Sequence, residues 1–550
     1  MLFIKVYTRD EVKNYSKSLA GSIHMAYSLD GKKFIPLNQN YGMLFAASEV
    51  AADNTIVPCY IKNPECFIKE SEGVYMITGK YITFTEGSDI SGAINLSRVN
   101  DESERTYAWI TTDFCDFTEI GFIHPEETDN LKPVADNIFT IDSALSKNII
   151  DKWIPLAAMK VELKGINKPA RVADLDELKA VITYSDGSID DKKVDWFIKN
   201  EEVDAEGNFV TGKHDITGII HKDNLPFPLT KGYADPVLFK WEGSWYFIST
   251  NDNQDDIGIY VRRANCVENL FNGKAIEACI LPYAPERGFV QTFWAPEFHV
   301  IGGELYILFA VGGHQWAPQC HMMKLKKGGD ILKAEDWEEP VKVLKADGTF
   351  LGEGGITLDM THFCVKDKHY LAWSYREGIG TPLDTGSMIY LATTNPAKPW
   401  VLTSEPMLLT RPLYGWENTE GTINNEGPYA LIADDKVYLA YSGGSANGYS
   451  YVVGMMIADT DADLMDIANW KKTPCPMLSS YSVGIDGPGH NSFYISDEGK
   501  VMIAYHGQLD MRCSAIHRVH FNKNGFPLLN MSLERDIPEN LRNVTVSFDN

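Results

Sequence analysis

The sequence predicts an all-β protein, built as a five-bladed β-propeller preceded by a β-sandwich module and an N-terminal β-rich, partly propeller-like region. Three observations predict it. Five times in the second half, two strand-like runs flank a tight turn: Leu238–Thr250, Phe298–Ala310, His362–Ser374, Tyr429–Ser442 and Phe493–His506. The equivalent residues Tyr246, Tyr306, Tyr370, Tyr438 and Met502 recur 60, 64, 68 and 64 positions apart. A period of that size marks blades, each a small antiparallel sheet that buries its faces against its neighbours. Helical patterning is almost absent from this half, with short turns of helix expected only at 334–338 and 461–469.

Before the repeats, residues 153–222 change character. VELKGINKPARV leads into ELKAVITYSDGSIDDKKVDW, then GNFVTGKHDITGII. Alternating runs around an S-D-G turn read as a small β-sandwich with a spacer role. Val181–Gly187, followed by Val194–Trp196, resembles the pattern of a bacterial immunoglobulin-like domain. Residues 1–152 hold weaker repeats. Ile23–Leu37 reads as an outer hairpin and Cys66–Thr78 as a faint copy of the main repeat, about two blades' worth. The expected domains are therefore 1–152, 153–222 and 223–550.

Bulk properties exclude several functions. The 550 residues carry a formal charge of −25, with a pI near 4.9. That balance repels phosphate backbones, so nucleic acid is not an expected partner. No run of 18 apolar residues occurs, so no membrane partner is expected. The N-terminus lacks the basic and apolar segments of a secretory signal. Nine cysteines stand singly, without a pairing or CxxC pattern. Free thiols in a reducing, cytoplasmic setting are the expectation. The 12 Trp, 26 Tyr and 25 Phe suit stacked sheets and also sugar pockets.

Polar residues precede each repeat: Asp235 in GYADPVLFK, Trp294 and Glu297 in FWAPEFHV, Asp359 in GITLDMTHF, Glu426 in GTINNEGPYAL and His490 in GPGHNSFYI. In a propeller, the starts of the innermost strands converge on one end of the axis. Asp-Pro or Gly-Pro before a strand is often just a turn device. Five such residues at a common phase point instead to a site. Two carboxylates across a pocket are what inverting glycoside hydrolysis requires: one protonates the leaving oxygen and the other activates water on the far face of the sugar. A third carboxylate raises the acid's pKa by like-charge repulsion.

The ordered set Tyr233-Ala-Asp-Pro236, Phe293-Trp-Ala-Pro-Glu297, Thr357-Leu-Asp359, Asn425-Glu-Gly-Pro428 and Gly487-Pro-Gly-His490 resembles glycoside hydrolase family 43 across residues 225–550. The resemblance implies a five-bladed propeller that hydrolyses with inversion. It implies Asp235 as general base, Glu426 as general acid and Asp359 as modulator of the acid. It implies no cofactor for the chemistry. It also implies a metal role for His490, beside a water-bound structural calcium or other ion at the axis, set against a plain hydrogen-bonding histidine. Glu417 and Glu420 compete with Glu426 but lie in the approach loop. Glu297 reads as support for Trp294. Trp294 is either core or a wall of the sugar pocket. Arg512 is either a substrate contact or a surface ion-pair partner.

The expected function is exo-acting release of α-L-arabinofuranosyl or β-D-xylosyl units from plant-derived oligosaccharides. The alternatives are another specificity of the family, such as galactosidase, and an inactive carbohydrate-binding propeller, since fold alone does not license activity. The intact Asp235, Asp359 and Glu426 argue against the inactive reading. Phosphorolysis would need an Arg/Lys cluster at the blade entrances, and none stands there.

Overall fold

The computed structural model describes residues 1–85, 98–99, 105–419 and 423–550. The chain forms two compact units. One comprises Met1–Trp153, Pro228–Tyr494 and Ala504–Ala515, and the other Ile154–Phe227, Ile495–Ile503 and Ile516–Asn550.

The first unit holds the propeller. Its innermost strands are Tyr233–Trp241, Gln291–Ile301, Gly355–Val365, Asn425–Ala433 and Asp486–Ile495. Each begins a four-stranded antiparallel sheet. The fifth sheet takes its outermost strand from Thr230–Lys231, ahead of the first blade in sequence, so it joins the two ends of the ring. This closure strand has no signal in the repeat.

The tight turns follow a common rule. Glu242-Gly243, Gly302-Gly303, Lys366-Asp367 and Asp434-Asp435 are two-residue hairpin loops with positive φ at both positions. That backbone matches the right-handed twist of the flanking strands. The repeat tyrosines do the packing. Tyr246 joins Ile248, Phe298 and Ile307 in a core between the first two blades. Tyr306 joins Met360, Leu371 and Trp373 between the second and third.

The N-terminal residues belong to the same unit as the propeller, not to a separate domain. Ile23–Leu37 does contain a hairpin, His24–Ser28 with Ile35–Pro36, and Cys66–Thr78 lies in the hairpin of Cys59–Lys69 with Val74–Thr85. These are not successive blades. Leu2–Tyr7 pairs with Ile138–Ile141, so the first strand of the region is closed by its last. A helix, Ser143–Trp153, ends the region and buries Ile149 and Trp153.

The second unit has two three-stranded sheets. One is Ala158–Lys164, Lys179–Tyr184 and Ile189–Lys192; the other is Val194–Phe197, Lys213–Ile220 and Asn543–Asp549. Residues 153–222 are thus not self-contained, and the propeller does not run to 550. The C-terminal strand is needed because Lys213–Ile220 alternates buried and exposed residues and has a free edge beyond Val194–Phe197. Ala180, Ile182, Val194, Ile220, Met531 and Ile537 share one core. The tail is also held by charge: fully buried Lys192 donates to Asp536 at 2.7 Å and to Asp223, and Arg518 Nε reaches Asp536 at 3.1 Å.

Candidate active site

The site is built from a defect repeated in each innermost strand. In the first four blades the ladder slips at 234–237, 294–297, 358–361 and 426–429. Within each slip one residue turns left-handed: Asp235 (φ 53°), Ala295 (44°), Asp359 (55°) and Gly427 (56°); His490 (47°) does so in the fifth blade. Bulges of this kind re-aim a side chain and interrupt pairing beside active sites. A left-handed conformation costs a non-glycine residue roughly 1–2 kcal/mol, and such strain gathers at functional sites. The following prolines 236, 296 and 428 cannot donate to a ladder and are tolerated at the bulge.

This refines the common phase expected from the sequence. Asp235, Asp359 and His490 occupy equivalent positions. Glu426 stands one residue before its left-handed Gly427, and Glu297 two after Ala295. Asp235 and Asp359 are buried, whereas Glu426 is half-exposed.

Asp235 is set in a cationic cage. Thr250 Oγ1 donates to its Oδ2 at 2.5 Å. His490 Nδ1 lies 3.3 Å and Arg512 Nη1 3.7 Å from Oδ1. Burial alone would raise its pKa, but the charges of His490 and Arg512 override that and hold the carboxyl well below the usual range. Oδ1 is buried 3.1 Å from His506 Nδ1 and accepts no hydrogen bond. His506 is itself kept neutral by burial. Its Nδ1 accepts the Asp235 amide at 3.2 Å, which leaves Nε2 to donate to the Ala446 carbonyl at 3.3 Å.

Asp359 sits opposite in character. Its Oδ2 accepts from the Gly427 amide at 3.1 Å and from Ser374 at 3.4 Å. Burial, then the nearby Glu426 and Asp235 carboxylates, push it up to about 7 against the pull of His490. Glu426 Oε1 accepts from the Tyr451 hydroxyl at 2.7 Å, leaving Oε2 for another partner. The same carboxylates outweigh burial at His490 and raise its pKa.

The remaining candidates divide. Arg512 is a largely buried, bidentate partner of Asp252 at 2.5 and 3.0 Å and also faces Asp235, so it is not a surface ion pair. Trp294 is half-buried; its Nε1 donates to Asp256 at 2.8 Å and its ring meets exposed Trp316 edge-on at 6.3 Å. Glu297 does not hold Trp294, because its carboxylate is taken by His299 Nε2 at 2.6 Å. Glu417 is fully buried and spent on Tyr441, Lys472 and the Tyr414 amide. Glu420 lies outside the described residues. No group of three or more His, Cys, Asp or Glu gathers as a metal-ligand set among the described residues. Calcium takes six to eight oxygens, and His490, facing Asp235 through Nδ1, does not fit a directly held ion.

The sequence reading missed the supports. Thr250, Ser374, Ser442 and His506 each end the second strand run of their repeat, directly across the hairpin from the bulge. The Ala295 amide donates to Thr250 Oγ1 at 2.8 Å and the His490 amide to Ser442 Oγ at 2.7 Å. With Asp235 to His506 and Gly427 to Asp359, four of the five blade boundaries are stitched at the axis. The signal was present: four of the five repeats end in Thr, Ser or His, and the fifth in Ala310, which has no side-chain acceptor.

The chain is similar to known proteins over its second half. The model of glycosyl hydrolases family 43 matches residues 225–527. A Streptomyces chartreusis protein named extracellular exo-α-(1→5)-L-arabinofuranosidase is 33% identical over 300 residues, 53% of this chain and 86% of its own. The α-L-arabinofuranosidase B of Pyricularia oryzae is 30% identical over 283 residues, 51% of this chain and 55% of its own. The crystal structure of an α-L-arabinofuranosidase from Lactobacillus brevis superposes with a TM-score of 0.48 at 29% identity, covering 55% of this chain and 95% of that one. With more than half of its length matched by the family model, this chain belongs to glycosyl hydrolases family 43.

Proposed function

We propose that this glycoside hydrolase releases terminal α-L-arabinofuranosyl units from plant-derived oligosaccharides with inversion. Asp235 is the general base, Glu426 the general acid, and Asp359 the group that tunes the acid. The observation that carries the reading is the unlike state of the two buried carboxylates. Asp235 is held ionised with Oδ1 free of hydrogen bonds, while Asp359 is held near 7 beside Glu426. Pairs of titratable groups pushed apart by their surroundings mark acid and base roles.

In the proposed reaction, Thr250 fixes Oδ2 of Asp235, so Oδ1 takes a proton from water as its oxygen bonds the anomeric carbon. Tyr451 fixes Oε1 of Glu426, so the proton on Oε2 passes to the departing glycosidic oxygen. Both proton transfers use side chains, and no cofactor enters. A cavity of about 510 Å³ lies between blades two and three, walled by Trp316, Lys342, Phe350 and Ile356. Ile356 is three residues before Asp359 on one strand, about 10 Å at the usual rise. None of the three carboxylates lines it.

The names of the relatives favour arabinofuranosyl over xylosyl units. The test is a side-by-side digestion of arabino- and xylo-oligosaccharides, with the first-formed anomer followed by proton NMR. Arabinose of inverted configuration is expected. Xylose as the main product, or a retained anomer, overturns the reading.

A further inference from the structure

We propose that the N-terminal region, which lies outside the family match, positions the catalytic acid by bracing the loop that leads to it. This rests on Glu426 being that acid.

The loop runs from 411 to 424, between the last strand of blade three, Met407–Thr410, and Asn425 at the head of blade four. Several segments of the N-terminal region grip its described residues, among them Glu119, which accepts from the Tyr414 hydroxyl at 2.9 Å. Arg411, buried, donates through Nη1 to Asn54 Oδ1 and through Nη2 to the Asn54 carbonyl, both at 2.8 Å. The Ser48 amide donates to the Leu413 carbonyl at 2.8 Å, and Asn418 Nδ2 reaches Ser48 Oγ at 3.3 Å. Ser16 and Thr419 hydroxyls meet at 2.5 Å. Gly415 packs so closely that a Cβ there would lie 2.6 Å from the Ser18 carbonyl oxygen.

The grip is passed on to the acid. Glu417 is fully buried and binds the Tyr414 amide at 2.9 Å, Tyr441 at 2.8 Å and Lys472 at 2.6 Å. The Asn424 amide then donates to the Glu417 carbonyl at 3.1 Å, two residues before Glu426. Lys472 also donates to the Arg411 carbonyl at 2.9 Å. These bonds tie the loop to residues outside the five blades. What they restrain is one loop, the one whose end sets the acid, and not the strand that carries Asp235.

The test uses the full chain with Ser16→Ala, Ser48→Ala and Asn54→Gly, alone and combined. Glycine keeps the left-handed backbone that Asn54 adopts at φ 71°. Each variant is assayed on an arabino-oligosaccharide and on nitrophenyl α-L-arabinofuranoside. Misplacing an acid slows departure of a poor leaving group and spares a good one. The ratio of the two kcat values is independent of the fraction folded. We expect it to fall about 10- to 100-fold in the combined variant, the scale of an ångström-sized misplacement. Equal losses on both substrates, or an unchanged oligosaccharide rate, overturn the proposal. Glu426→Ala is run alongside. If it is not rescued by the nitrophenyl substrate, the acid assignment falls; if it is rescued and the N-terminal variants are not, only the bracing role falls.

Discussion

The amide of Gly427 donates to Oδ2 of Asp359 at 3.1 Å, so the residue after Glu426 is tied to the third carboxylate across a blade boundary. Fixing the backbone this way keeps the two acidic side chains near each other although like charges repel.

Replacing Asp359 tests that pairing. Asp359→Asn removes a negative charge beside Glu426, so its proton is lost more easily. The alkaline limb of the kcat/KM profile should move down by about one pH unit. An unmoved limb at a near-normal rate would leave Asp359 a turn residue.

Stability should respond in the opposite sense to activity. The pKa of Asp359 in the folded protein is raised to about 7, above its unfolded value, so the folded state binds the extra proton. Stability from this group is full below the unfolded pKa and declines as pH rises through 7. Asp359→Asn should melt higher than the parent at pH 8, with the gap closing by pH 4. Equal melting curves at both pH values would contradict the shift.

The base and acid separate by leaving group. Asp235→Ala and Glu426→Ala should each slow oligosaccharide hydrolysis by about 10²–10⁴-fold. A nitrophenyl leaving group needs little protonation, so it should restore much of the rate to Glu426→Ala and little to Asp235→Ala. Equal rescue would reverse or void the roles.

The cage around Asp235 predicts an acid-limb shift. His490 and Arg512 hold that carboxyl low. His490→Gln and Arg512→Met should each move the acidic limb upward by about one pH unit or more. If Arg512→Met changed KM alone and left the limb in place, its role would be contact with the sugar.

In the second unit, Asp536 neutralises the buried Lys192 and Arg518. Asp536→Ala removes one of the three carboxylates around those charges, leaving Asp190 and Asp223, and should lower unfolding stability by about 1.5–3 kcal/mol, the worth of a hydrogen bond to a charged group. Denaturant melts would measure it, and a loss below about 1 kcal/mol would make the network dispensable.

Much of this was legible in the chain because it repeats. Alternating strands and a fixed period between Tyr246, Tyr306, Tyr370, Tyr438 and Met502 determine blades, since each sheet has two faces to bury and only its neighbours to bury them against. The positions of Asp235, Asp359, Glu426 and His490 at the blade heads were readable for the same reason. Tertiary structure alone decided what is non-local. The ring closes with Thr230–Lys231, and the sandwich borrows Asn543–Asp549, because an unpaired edge takes whatever strand the fold delivers and no local pattern records which. The one-residue offset of Glu426 depends on a bulge, which preserves composition while changing which way a side chain points. Glu297 lies near Trp294 in sequence, but alternation along the strand puts it on the same face as His299, which takes its carboxylate. The difference between a carboxyl held ionised and one held near 7 lies in His490, Arg512 and Glu426 brought in from other blades, and only folding sets those distances.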